Sequence, residues 1–223
     1  MAAVVKSKKT DTLEDYHFFS SPIYKINKLE FLDTVKSVSD ESVQELKSEI
    51  ELDELYPVYM SQDLTMDPRM QEFTEYVLTT AWNILNAQGY AMELYNVYPS
   101  AMWLQEHHKL SGMEQHVHSE GSQLIAFYFT EVPVDSSKFI IHDPRPGKVQ
   151  LDLLQKNRVD LNESSKMVVI TPEVGDLFFT NAYLPHSFSK NASDSPVKFI
   201  HINIGSARKP PEQCDIDSKP EII

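Results

Sequence analysis

An antiparallel β sandwich or barrel, with helices laid over one face, is the fold class this sequence predicts. Three observations carry that reading. Apolar residues recur at helical spacing up to Gly89, and beyond it short runs rich in β-branched and aromatic residues alternate with turn residues. No long helical pattern separates those runs, as a parallel sheet with crossover helices would require. The 223 residues are 41% apolar and 24% charged, enough for one main core and inconsistent with a chain disordered throughout.

Residues 1–21 are polar and mixed. Val43, Leu46 and Ile50 then place a helix over 40–50. A stronger helix is expected over 68–88. Asp67 can cap it, and Pro68 suits the first helical position, where no N–H partner is needed. Phe73, Val77, Ala81, Ile84 and Leu85 form its apolar stripe, and Gly89 offers the left-handed stop. Strands are expected near 92–98, 101–107, 113–118, 122–130, 138–142, 148–154, 166–171, 176–181, 185–189 and 196–204. With only 6 glycines, the turns between them fall to Pro, Asn, Asp and Ser, as at Pro133, Pro144, Pro146, Pro172 and Pro185. The organisation expected is an N-terminal extension with supporting helices (1–91), a β core (92–205) and a polar tail (206–223).

Charge and composition narrow the function. Lys and Arg number 20 against 33 Asp and Glu, a formal net charge of −13, which repels phosphate backbones. The densest basic group is Lys6, Lys8 and Lys9, so nucleic acid is not an expected partner. A lone Cys214 excludes an intramolecular disulfide and any Cys-rich metal site. No 18-residue apolar run is present, so no membrane partner is expected. Met1 to Lys6 lack a secretory apolar region, and the expected compartment is the cytoplasm.

The chemistry lies with the eight histidines. In Gln115-His116-Val117-His118 the imidazoles stand two residues apart, so a strand points both to one face, a chelating geometry for a divalent transition metal. Alone, that motif is equally two surface or core histidines. A second segment raises its weight. Pro172-Glu173-Val174-Gly175-Asp176 forms a turn that launches an apolar strand, and a short connection then delivers His186. A double-stranded β-helix has this layout: an early strand carries a ligand pair and a late strand brings the third ligand across. His107-His108-Lys109 reads as a solvated strand end or a substrate-side wall. Asp143 and Arg145 read as a structural turn or as contacts for a polar substrate at the barrel mouth.

From Trp103 to Asn203 the chain resembles the Fe(II)/2-oxoglutarate-dependent dioxygenases, and more narrowly the 2OG-Fe(II) oxygenase family with an His-x-His signature. Trp103 stands 13 residues before His116, as in that family's pattern. Then follow Ser122 to Phe129, the Asp143-Pro144-Arg145 element, the Gly175-Asp176 strand, Pro185-His186-Ser187, and a closing strand from Val197 to Ile204 that contains Asn203.

The resemblance implies an Fe(II) site and a 2-oxoglutarate site on a double-stranded β-helix. The wider superfamily uses His-x-Asp/Glu plus a distal His; here His118 stands in place of the acid. The ligand set is therefore expected to be His116, His118 and His186, with Glu120 in reserve and no catalytic side chain beyond the ligands. For the cosubstrate, Lys198 is the candidate cation for the distal carboxylate, Tyr128 a hydroxyl donor and Gln105 a contact to the oxo acid. Aligning Asn203 on the family's Asn puts Val197 where the family carries Arg, and turns Lys198 to the other face. The implied activity is dioxygenase chemistry, hydroxylation with O2 of a small molecule or peptide. The rivals are a cupin-like three-His metalloprotein without 2-oxoglutarate and a non-catalytic jelly-roll binding module.

Overall fold

The computed structural model describes residue 14, residues 19–119, 121–151 and 153–210, and residue 213. Two antiparallel sheets form its body. The larger holds β1 (Ile23–Asn27), β2 (Val58–Met60), β3 (Tyr95–His107), β5 (Ser122–Glu131), β8 (Asp176–Asn181) and β10 (Val197–Arg208), in the order β1-β8-β5-β10-β3-β2. The smaller holds β4 (Met113–His116), β6 (Phe139–His142), β7 (Met167–Ile170) and β9 (His186–Phe188), in the order β4-β9-β6-β7. Two helices, α1 (Leu32–Glu49) and α2 (Gln71–Ala87), complete the fold. No helix among the described residues is long and apolar enough to cross a membrane.

The central strands of the large sheet are buried on both faces, which is why they read as continuous apolar runs rather than as an alternation. One face meets the helices: Leu124, Ala126 and Tyr128 of β5 and Ile200, Ile202 and Ile204 of β10 pack with Val35, Phe73, Val77 and Ala81. The other meets the small sheet: Ile125, Phe127 and Phe129, with Val197 and Phe199, pack against Phe139, Ile141 and Phe188. The second cluster is a nest of rings, Phe188 stacking on Phe199 at 4.7 Å and Phe127 meeting Phe139 at 5.0 Å. Each fully buried Phe contributes roughly 1.5–3 kcal/mol, so these rings hold the two sheets together.

The helix expected over 68–88 forms as a 3-10 turn at Pro68–Met70 followed by α2. The Asp67 carboxylate accepts from the Arg69 N–H at 2.9 Å, and Gly89 takes φ +97° at the other end. Elsewhere the structure departs from the expected elements. The helix expected at 40–50 starts earlier, at Leu32, and buries Val35, Val38 and Val43. Two early strands lie outside those expected: β1 pairs with β8 and β2 with β3, so the large sheet draws on residues before 92. The strands expected at 92–98 and 101–107 run together as β3 through Pro99, with a bulge at Ser100 that faces Asn203/Ile204 of β10. No strand forms over 148–154 among the described residues: Lys148–Gln150 make a 3-10 turn, and Leu151, Leu153 and Leu154 are exposed in the long β6–β7 connection.

Candidate metal centre

His116 closes β4 and His186 opens β9, and antiparallel pairing sets these two residues opposite each other with ring centroids 4.3 Å apart. His118 lies just past the end of β4, where its N–H donates to the Ala182 carbonyl at 2.9 Å. Its ring is 5.1 Å from that of His116 and stacks nearly parallel to that of His186 at 5.2 Å. One nitrogen from each imidazole lies within 4.8 Å of the other two.

The ring orientations are set from behind. The Nδ1 of His116 sits 2.8 Å from the Glu114 carbonyl and that of His186 3.0 Å from the Leu184 carbonyl. A carbonyl only accepts, so both Nδ1 atoms carry the proton and both Nε2 lone pairs are bare. The Nε2 atoms of His118 and His186 are buried with no hydrogen-bond partner among the described residues. Leaving such a group unsatisfied costs about 1–3 kcal/mol, and a divalent cation at the meeting point would offset that cost. Burial, with smaller effects from neighbouring imidazoles, pushes His186 down to about 3 and His118 to about 4. Both rings are thus neutral near pH 7, the state a ligand must have.

The other expected site residues fall into three groups. Glu120 lies outside the described residues. Gln105 is buried on the metal side of the large sheet, its Nε2 3.3 Å from His201 Nδ1 and its Oε1 2.9 Å from His107 Nε2. Tyr128 and Lys198 require correction. Tyr128 points to the helices, packs on Phe73 and donates to the Lys28 carbonyl at 2.7 Å. Lys198 faces the same way, pairing with Asp40 at 2.8 Å, Glu131 at 3.2 Å and Glu106 at 3.6 Å. The reason is strand parity: Val197 and Phe199 point to the small sheet, so Lys198 between them cannot.

Two histidines outside the expected set also belong to the inner face. His107, read with His108 and Lys109 as a solvated strand end or a substrate-side wall, is fully buried, and its Nδ1 has no partner among the described residues. His201 is buried beneath Trp103, stacked at 4.2 Å, with its ring 4.7 Å from that of His118. The signal lies in the two-residue period: Val197, Phe199, His201 and Asn203 share one face of β10.

Residues 101–200 match a family model described as "Putative 2OG-Fe(II) oxygenase". The 2OG-Fe(II) oxygenase match spans β3 to the start of β10 and includes His116, His118 and His186. No curated protein matches the chain. Among solved structures, AviO1 from Streptomyces viridochromogenes Tue57 is similar over 86% of this chain and 92% of its own, with TM-score 0.60 and 13% identity. HygX from Streptomyces hygroscopicus, with nickel, 2-oxoglutarate and hygromycin B bound, is similar over 84% of each chain, with TM-score 0.56 and 12% identity. A Pseudomonas putida prolyl-4-hydroxylase is similar over 85% of this chain and 94% of its own, with TM-score 0.54 and 9% identity. At such identities the shared property is the fold: two facing antiparallel sheets in a jelly-roll arrangement.

Proposed function

We propose that this chain is an Fe(II)-dependent oxygenase that uses O2 and 2-oxoglutarate on a small-molecule or peptide substrate. The observation that carries the reading is the convergence of His116, His118 and His186, with two buried Nε2 atoms that no group among the described residues satisfies. The family match and the 2-oxoglutarate bound in HygX support it. The similar structures include a prolyl-4-hydroxylase and an α-ketoglutarate-dependent epimerase, so the reaction type and the substrate are left to experiment.

Iron suits this donor set: three imidazoles at the edge of an aromatic core. Bound there, it would supply O2 activation through the positions that three protein ligands leave open. The chain's own residues do the rest. The Glu114 and Leu184 carbonyls orient two of the rings. Phe127 and Phe139 pack edge-on against His186 and keep water from its inner side. Trp103 and Asn203, both half-buried, flank His118 and His201 on the more open side.

The 2-oxoglutarate part meets a poorer fit. A buried distal carboxylate needs a cation or several donors. The inner face of β10 offers Val197, Phe199 and His201, while Lys198 is engaged on the opposite face. Lys25, at the sheet edge, pairs with Asp176 at 2.8 Å. This observation favours a second reading, a three-His metalloprotein of cupin type that acts without 2-oxoglutarate. Anaerobic Fe(II) titration with and without 2-oxoglutarate separates the two. A metal-to-ligand charge-transfer band on adding 2-oxoglutarate is the expected result for the first reading; stoichiometric iron binding without that band supports the second.

A further inference from the structure

We infer that a buried polar chain of Asn203, His201 and Gln105 orients His118, and that these three are positioning residues for the metal centre. The inference rests on the metal reading above and concerns how one ligand of that site is held.

The three imidazoles are not held alike. His116 and His186 give their Nδ1 protons to backbone carbonyls, which no side-chain replacement removes. The His118 ring instead meets a side-chain group, lying 4.7 Å from the ring of His201 on β10. That ring is held in turn by Asn203, whose Oδ1 accepts from His201 Nε2 at 3.1 Å. His201 Nδ1 accepts from Gln105 Nε2 at 3.3 Å, and Gln105 Oε1 accepts from His107 Nε2 at 2.9 Å. The polarity is consistent along the chain: Gln105 donates through nitrogen and accepts through oxygen, Asn203 accepts through oxygen, and His201 carries its proton on Nε2. An amide oxygen has two lone pairs, so Asn203 can accept from His201 and from the Nδ1–H that His118 needs if its Nε2 is to face a metal.

The framework of this chain is rigid. Its members sit on adjacent antiparallel strands, with Trp103 opposite His201 and Ala101 opposite Asn203. The His201 ring is clamped between Trp103 at 4.2 Å and Phe127 at 4.8 Å. Gln105 and His201 are each 1% exposed. In such a dry setting a polar group left without its partner is costly, so the links stand or fall together. The surrounding core is phenylalanine, into which apolar residues of the same shape would pack as well. What the polar residues add is direction.

The test is Co(II) binding by the whole chain, read by calorimetry and by the visible ligand-field bands, in the wild type, Asn203→Leu, Asn203→Asp and His201→Phe. The wild type is expected to bind Co(II) stoichiometrically. Asn203→Leu and His201→Phe are expected to bind about 10- to 100-fold more weakly, with shifted bands, because His118 is free to turn. Asn203→Asp keeps an acceptor and is expected to retain the wild-type bands. Asn203 is half-buried, so its variants remain informative if His201→Phe does not fold. Wild-type affinity and bands in Asn203→Leu, or equal weakening in Asn203→Asp, would overturn the positioning role and leave the metal reading standing. A wild type that binds no Co(II) would overturn both.

Discussion

His116 and His186 face each other across the β4–β9 pair, although 69 residues of chain separate them, and their Nδ1 atoms are both tied to the carbonyl two residues before. The same local device, on two antiparallel strands, turns two Nε2 atoms toward one point. The orientation of these two rings is thus set by backbone.

The first prediction concerns these ligands. His116→Ala and His186→Ala each remove one of three converging imidazoles. Loss of an outer-shell partner costs about 10- to 100-fold in affinity, so loss of a ligand is expected to cost at least about a hundredfold. Equilibrium dialysis with Fe(II) or Co(II) measures it. Far-ultraviolet circular dichroism is expected to remain that of a folded β protein, because the core rests on apolar strands. Wild-type affinity in both variants would remove the pair from the site.

Lys198 is expected to matter for stability and not for cosubstrate. Its ammonium joins Asp40 of α1 to Glu106 and Glu131 of the sheet. Glu106 is fully buried, while Asp40 and Glu131 are about a third exposed and partly screened. Lys198→Met should therefore cost about 2–3 kcal/mol, the lower end for breaking a buried pair. Urea unfolding measures the loss. A changed 2-oxoglutarate requirement with unchanged stability would contradict it.

The same cluster sets a pH dependence. Burial raises the Asp40 pKa, but the bonds to Lys198 and Lys36 outweigh it and leave the carboxyl below its ordinary 3.8. Burial lowers Lys198, yet its bond to Asp40 and the nearby carboxylates leave it above 10.5. A lowered acid contributes stability above its unfolded value and loses it as pH falls through the folded one. A raised base contributes below its unfolded value and loses it as pH rises through the folded one. The stability gap between wild type and Lys198→Met is thus expected to be flat between about pH 5 and 9. It should shrink as the pH falls below 3.8. Thermal melts across that range check it; a gap that grows in acid would contradict it.

Tyr128→Phe removes one hydrogen bond, to the Lys28 carbonyl, on the helix side of the sheet. The expected cost is about 1 kcal/mol of stability, with metal and 2-oxoglutarate titrations unchanged. Altered cosubstrate binding in this variant would mean that the hydroxyl turns inward.

Gly175→Ala tests the turn that launches β8. Gly175 holds φ +84°, and a Cβ there would come within 2.6 Å of Leu29 Cδ2. Strain and crowding together should cost about 1–3 kcal/mol, read as a lowered midpoint of thermal unfolding. An unchanged midpoint would show that the turn relaxes without penalty.

Local patterns in the amino-acid sequence make much of this molecule legible. The stripe from Phe73 to Leu85 is core-facing as its spacing implies. The pair His116 and His118, two residues apart, and His186 after the Gly175-Asp176 strand do come together. By contrast β1 and β2 are short edge strands stabilised by neighbours far along the chain, and their own sequences carry little period-2 signal. The apolar residues Leu151, Leu153 and Leu154 mislead for the opposite reason: they resemble a strand, but they are exposed and join neither sheet.

By itself the sequence determined the class of the fold and pointed to the three converging histidines, because apolar period, the His-x-His spacing and the Gly-Asp strand before His186 are local patterns whose order along the chain matches a known family's. Only the tertiary structure decided which face each strand residue occupies. A strand's parity relative to another is set by the register of pairing and by bulges, such as those between β10 and its neighbours. No count of residues across the 189–196 connection supplies it. That parity turned Lys198 and Tyr128 toward the helices and brought Gln105, His201 and Asn203 to the face of the three converging histidines.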